Sequence, residues 1–189
     1  YRIEQLDKLY NAIVKYEQKI QEALYADLAH RRLRSWGLNT IANSSDKAIC
    51  MMDRTAYTDR IEIHSVPIEG TTGWWPFMDP FDPSFAETMR MRLLAQKDQL
   101  DDPWCLGFFV DNEIKWGDTK SLASFTIKAP TTQRAKIAMI NWLQKKYKTI
   151  TTLNNHWGTT FGSWKELRAN RKKVPTAANG DLTEFNKKI

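Results

Sequence analysis

Three consecutive polar side chains end the most hydrophobic stretch of the chain, residues 104–110. They are Asp111, Asn112 and Glu113. If the stretch is a parallel strand of an α/β barrel, its carboxyl end is where functional side chains point inward. A glutamate held there between apolar and aromatic walls has its pKa raised by desolvation, which suits a general acid that keeps a proton near neutral pH. Beside it, Asn112 can bind a substrate hydroxyl without adding a competing charge, and Trp116 can form a wall of the cleft.

A purely structural interpretation of the same residues is that the strand ends in a polar turn. Asp111 or Asn112 would then cap the next element, and no chemistry would follow. Composition alone leaves both interpretations open.

The eight tryptophans among 189 residues point towards sugar binding. A flat indole covers the apolar face of a pyranose while its N–H stays available. The alternative for most of these tryptophans is packing in the core. The net charge of +6 raises the question of nucleic-acid binding. Lysines and arginines are scattered, however, and their local concentrations resemble solvated helix ends, so nucleic-acid binding is not favoured.

Cofactor, metal and membrane binding are also not predicted. Cys50 and Cys105 have neither metal-ligand spacing nor the pattern of a disulfide framework, and no other ligand cluster is apparent. No apolar run approaches the roughly 18 residues that a membrane span needs.

Hydrophobic periodicity predicts an α/β protein with a parallel sheet. The predicted helices cover 1–35, a segment from Pro83 to about Leu100, about 132–146, and a short helix capped by Thr149 and closed by Gly158; the predicted strands cover 38–42, 61–68 and 104–110. Residues 70–81 form a long aromatic loop, residues after Gly117 a polar loop, and residues 165–189 a basic region with weak helical signal near Leu182–Phe185.

Four segments resemble glycoside hydrolases of clan A, in particular the β-agarases of family 50 and related agarase-like bacterial proteins. Residues 104–117 read WCLGFFVDNEIKWG, and an Asn-Glu pair at the end of the fourth barrel strand is the mark of this clan. The supporting segments are RSWGLNTIANSSD at 34–46, WPFMDPFDP at 75–83 and LQKKYKTITTLNNHW at 143–157. The last pattern also occurs in the β-galactosidases of family 42.

This resemblance implies a retaining hydrolase of β-galactosidic linkages in an agarose-type galactan, with no cofactor or metal. Glu113 would be the acid/base, and Asn112 would bind the 2-hydroxyl of the sugar being cleaved. Further candidates for lining the sugar subsites are Asn43, Asp46, His64, Trp74, Trp75 and Trp116. Structural alternatives stay open: Asp46 could cap a helix, His64 could be an ordinary core or surface histidine, and one of the paired tryptophans could be packing. His156, in a helix-closing turn, is interpreted as structural.

The resemblance also implies a (β/α)8 TIM-barrel type of fold, of which this chain covers about strands 1–4 as one catalytic domain, residues 1–189. A retaining enzyme needs a second carboxylate as nucleophile, and neither Glu166 nor Glu184 ends a convincing strand. We therefore expect a fragment or truncated product without ordinary retaining activity. Other possibilities are a β-galactosidase-like or other clan A β-glycosidase, and a non-catalytic carbohydrate-binding barrel fragment. A polysaccharide hydrolase is expected outside the cytoplasm, in the periplasm or extracellular, although no export signal is visible.

Overall fold

The computed structural model describes residues 2–71, 76–114 and 116–189. In chain order its elements are α1 (Arg2–Ser35), β1 (Thr40–Ile41), α2 (Lys47–Cys50), β2 (Ala56–Ile61), α3 (Pro83–Ala95), α4 (Lys97–Leu100), β3 (Cys105–Val110), α5 (Ser121–Lys128), α6 (Arg134–Tyr147), α7 (Ile150–Trp157), α8 (Trp164–Ala169), a 3-10 turn (Thr176–Ala178) and α9 (Asn179–Asn186). No helix among the described residues is long and apolar enough to cross a membrane.

The strands form one sheet in the order β1-β2-β3. β1 pairs in parallel with β2, with Thr40 beside Ala56. At the other edge of β2, the Tyr57 N–H donates to the Trp104 carbonyl and the Asp111 N–H donates to the Ile61 carbonyl, so β3 runs in the same direction. The predicted α/β class with parallel strands is confirmed, and the described residues contain three such strands.

The chain divides into two compact units. The first comprises Tyr1–Arg60 and Gln96–Phe109 and is centred on the buried side chains of Ile41, Cys50 and Tyr57. Within it the buried His30 bonds through Nδ1 to the Thr55 hydroxyl at 2.9 Å. The second unit comprises Ile61–Ala95 and Val110–Ile189. Its larger core is built mainly from helices α5 to α9 around the fully buried Trp157.

The strand at 104–110 is less buried than its apolar composition indicates. The strand 104–110 forms as predicted, but Leu106 and Phe109 are 64% and 55% exposed, because nothing among the described residues packs over those positions. The apolar stripe of α1 is likewise exposed along most of its length, and among the described side chains of that helix only Ala26 and His30 are buried.

The prediction of a strand at 61–68 is also wrong. The strand is β2, which ends at Ile61, and the following residues form irregular chain except for one antiparallel bridge between Pro67 and Met78. The alternating isoleucines that indicated a strand are buried, but Ile63 and Ile68 enter the core from irregular backbone.

Both ends of helix α7 were predicted correctly from capping residues in the sequence. Thr149 accepts from the Thr152 N–H and caps α7, and Gly158 closes that helix in the left-handed conformation, both as predicted.

Helix α5 was missed, since its residues were assigned to a polar loop. Its buried positions include Leu122, Ala123, Thr126 and Ile127, whose spacing is that of one helix face.

Candidate active site

The loop that follows β3 is anchored by Asp111. Its backbone N–H donates to the Ile61 carbonyl at 2.7 Å, and its Oδ1 accepts from the Ile63 N–H at 2.7 Å. Both the Asp111 and Ile63 side chains are buried. Asp111 therefore continues the hydrogen bonding between β2 and β3 past the ends of both strands. This structural role of Asp111 is close to the interpretation in which the strand simply ends in a polar turn.

Asn112 and Glu113 are presented at the end of this anchored strand. Glu113 is exposed and Asn112 is partly buried, and neither side chain forms a hydrogen bond or ion pair with a described residue. Both are therefore available to a ligand. The apolar walls that were predicted to bury Glu113 do not surround it in this structure.

The backbone of this loop is in a conformation that side chains disfavour. Asp111 and Glu113 have φ angles of 56° and 50°. Aspartate tolerates the left-handed region, but glutamate has no local hydrogen bond that compensates, so its placement there costs about 1 kcal/mol or more. Strained residues of this kind cluster at functional sites, where the surrounding structure holds them in place.

Trp116, on the loop that follows β3, forms an aromatic wall together with Phe77. The ring of Trp116 packs edge-on against Phe77, with centroids 5.1 Å apart and an interplanar angle of 70°. Trp116 keeps 60% of its surface exposed. Both rings, together with Asp111 and Ile114, line a cleft of about 240 Å³. An exposed indole fixed at its edge by a second ring can offer a flat apolar surface to a ligand.

The loop that carries Phe77 is held by a buried carboxylate, Asp79. The Asp79 Oδ2 accepts from the Gln133 side chain at 2.7 Å and from the Ala135 N–H at 2.8 Å, and its Oδ1 accepts from the Phe81 N–H at 2.9 Å. These bonds tie the aromatic loop to the start of α6. Sequence reasoning missed Asp79, although an aspartate followed at once by proline in a loop is a turn signal.

The other predicted subsite residues lie at several places in the chain. His64 is exposed, with its Nε2 3.6 Å from the Glu62 carboxylate. Asn43 and Asp46 follow β1 and belong to the first unit, whereas Asn112, Glu113 and His64 belong to the second. Asp46 accepts from the Ala48 N–H at 2.8 Å and caps α2, which was its structural alternative. Trp74 and Trp75 lie outside the described residues. The subsite roles of all these residues stay predictions.

Both of the later glutamates have partners in the second unit. Glu166 accepts from the Gly162 N–H at 2.7 Å, while Ser163 accepts from the Glu166 N–H, an arrangement that resembles a capping box at the start of α8. Glu184 is ion-paired with Lys146 at 2.5 Å. Both side chains are engaged in holding the helical part of the second unit together.

Comparison with known proteins decides the family. The model of the glycoside hydrolase family 42, described as beta-galactosidase, matches residues 86–187, which is more than half of the chain. The chain belongs to this family of clan A glycoside hydrolases.

This glycoside hydrolase chain is similar to curated β-agarases. It is 34% identical over 162 residues to beta-agarase B of Vibrio sp. (strain JT0107), covering 77% of this chain and 16% of that protein. Beta-agarase A of the same strain is 30% identical over 168 residues, covering 76% and 16%. The chain thus spans about a sixth of the length of these relatives. The crystal structure of the agarase AgWH50C superposes with a TM-score of 0.75 at 25% identity, over 88% of this chain and 26% of that one.

Replacing Asp111 by alanine is expected to destabilise this glycoside hydrolase chain by about 2 kcal/mol. The substitution leaves the Ile63 N–H without an acceptor, and an unpaired buried donor costs about 1–3 kcal/mol. Urea unfolding measures the effect. The matched variant Asp111→Asn keeps a side-chain oxygen and tolerates the left-handed backbone, so its loss should be under half as large. Equal losses in the two variants would show that the bond to Ile63 is not what stabilises the loop.

Proposed function

We propose that this chain carries the acid/base half of a retaining glycoside hydrolase site that acts on β-galactosidic linkages of an agarose-type galactan. Glu113 is the acid/base, and Asn112 binds the 2-hydroxyl of the sugar being cleaved. The observation that carries the proposal is the placement of Glu113: it is unpaired among the described residues, on a strained loop at the carboxyl end of a parallel strand. The β-agarases that the chain resembles supply the substrate class.

In the first step, the Glu113 carboxyl donates its proton to the glycosidic oxygen as the bond to the anomeric carbon breaks. In the second step the resulting carboxylate takes a proton from water, which attacks the glycosyl intermediate. The amide of Asn112 strengthens its contact with the 2-hydroxyl as positive charge develops on the sugar ring. Trp116 offers its exposed face to an adjacent sugar.

The mechanism needs a second carboxylate about 5 Å from the first. Glu166 and Glu184 are engaged elsewhere, so we propose that neither is the nucleophile and that residues 1–189 alone have no ordinary retaining activity. We propose further that the three parallel strands belong to a (β/α)8 barrel, of which this chain supplies about strands 1–4 as part of one catalytic domain.

A second candidate is a β-galactosidase-like activity, which the match to the family 42 model favours. The two candidate activities differ in the length of the saccharide that the site binds. Tight binding of agaro-oligosaccharides with weak binding of galactose supports the agarase assignment, and the reverse order supports the β-galactosidase.

Binding can be measured directly by calorimetric titration of agaro-oligosaccharides into the purified protein. We expect salt-insensitive binding that Trp116→Ala weakens about fivefold to tenfold, because an aromatic contact contributes about 1 kcal/mol. Trp36→Ala is the matched control, since Trp36 is similarly exposed but lies in the first unit. A titration with DNA at two salt concentrations runs in parallel. Sugar binding that is absent, together with DNA binding that falls steeply with salt, would rule out the proposal.

A further inference from the structure

A second cleft, in the second unit, is lined by three lysines. It lies between α5 and the start of α9 and has a volume of about 200 Å³. Three lysines bound it, and three small polar side chains lie between them: Lys120, Lys128, Lys173, Ser124, Thr176 and Asn179. None of the described residues that line this cleft is acidic.

The lysines converge because of where the sequence places them. Lys120, Ser124 and Lys128 are four residues apart along α5 and its N-cap, so they share one face of the helix. Lys173 lines the same cleft from the segment before the 3-10 turn. Lys128 is held by its contact with the Phe125 ring, 5.2 Å from Nζ to the centroid.

These charges have no internal counterion. Among the described residues, no carboxylate lies within ion-pair distance of Lys120, Lys128 or Lys173. The carboxylate beside Lys120 is that of Asp118, which accepts from the Lys120 N–H and the Ser121 hydroxyl and caps the start of α5. Three lysines line one small cleft, and a bound anion would offset their positive charge.

We infer that this cleft binds a tetrahedral oxyanion, a sulfate or phosphate group, either as the free ion or as an ester on a sugar. The ammonium groups neutralise its charge, and the Thr176 hydroxyl and the Asn179 amide donate to its oxygens. The Ser124 hydroxyl donates to the Lys120 carbonyl at 2.8 Å and helps to shape the wall of the cleft. The inference is independent of the proposed glycosidase site, because none of its residues lies on the Asp111–Glu113 loop.

The test is a calorimetric titration of the purified protein with inorganic sulfate and inorganic phosphate, against chloride at matched ionic strength. Lys120→Gln and Lys173→Gln should each weaken sulfate binding about tenfold, since each removes one charge next to the anion. Lys165→Gln, on the exposed surface of α8 outside this cleft, should leave it unchanged. Unfolding curves of the variants check that the fold is intact.

Absence of binding, or equal weakening by Lys165→Gln, would overturn the inference by reducing it to general charge attraction. A third titration with galactose 6-sulfate distinguishes the sources of the ligand. Tighter binding than inorganic sulfate identifies a sulfate ester on a sugar, and equal or weaker binding identifies the free ion.

Discussion

Replacing Glu113 by glutamine should lower kcat/KM on agaro-oligosaccharides by about 10²–10⁴-fold, the usual contribution of a general acid/base. Since residues 1–189 are proposed to lack the nucleophile, the measurement uses a chimera in which this chain replaces the matching segment of the Vibrio beta-agarase B. Glutamine keeps the size of the side chain but has no proton to give to a departing sugar oxygen. KM should change little, because the exposed carboxyl is not the main binding contact.

A substrate with a better leaving group distinguishes an acid/base role of Glu113 from a merely structural one. An aryl galactoside with an acidic phenol needs little protonation, so the first step on that substrate should be nearly unaffected by Glu113→Gln. Glu87→Gln removes an exposed glutamate on α3 in the same unit and should leave both activities unchanged. A uniform loss on both substrates in Glu113→Gln would argue against the acid/base role.

The largest effect on stability is expected at Asp181, where alanine should cost about 3 kcal/mol, as for other broken buried ion pairs. This buried carboxylate accepts from Lys146 at 2.8 Å, from the Tyr147 hydroxyl at 2.7 Å and from the Trp157 indole N–H at 2.6 Å. Removing it leaves two buried donors unpaired and one ammonium held only by Glu184. Urea unfolding followed by tryptophan fluorescence measures the loss.

Asp181→Asn is the matched variant, and it should cost about half as much because its amide oxygen still accepts from some of these donors. Burial by itself would raise the pKa of Asp181, but the hydrogen bonds from Lys146, Trp157 and Tyr147 outweigh it and hold that pKa below its usual value. Burial and the contact with Asp181 raise the pKa of Tyr147 to about 12. A wild-type stability no greater than that of Asp181→Asn at neutral pH would refute this account of the cluster.

The pH dependence follows from the signs of these shifts. The contribution of Asp181 is present above about pH 4, where the unfolded carboxyl is ionised, and is lost as the pH falls through its lower folded pKa. The contribution of Tyr147 is complete below about pH 10 and is lost as the pH rises through about 12. The stability difference between wild type and Asp181→Asn should therefore be nearly constant between about pH 5 and 9.

Local chemistry was the part of the fold that the sequence predicted well. Thr149 and Gly158 begin and end α7 because a hydroxyl cap and a left-handed glycine act within one turn of helix. The strand before Asp111 was readable from its apolar run. Contacts distant in sequence were not readable: the bond from Asp111 to Ile63 spans 48 residues, and nothing near either residue signals it.

The burial of apolar side chains could not be predicted from the sequence for a related reason. An apolar pattern predicts that a residue prefers a core, but whether a partner covers it depends on other elements, as the exposed Leu106 and Phe109 show.

One signal in the sequence was missed. Asp181 lies three and four residues from the apolar positions Ala178 and Phe185, on the buried face of α9, and a carboxylate on such a face needs partners.

The central claim is that Glu113 is the acid/base, and azide rescue of Glu113→Ala in the chimera tests it most directly. With an aryl β-galactoside as substrate the first step needs little acid, and azide then attacks the intermediate in place of water without needing a base. We predict that azide accelerates turnover and yields the β-galactosyl azide, with retained configuration. Formation of the α-galactosyl azide would make Glu113 the nucleophile, and no acceleration by azide would contradict any catalytic role for it.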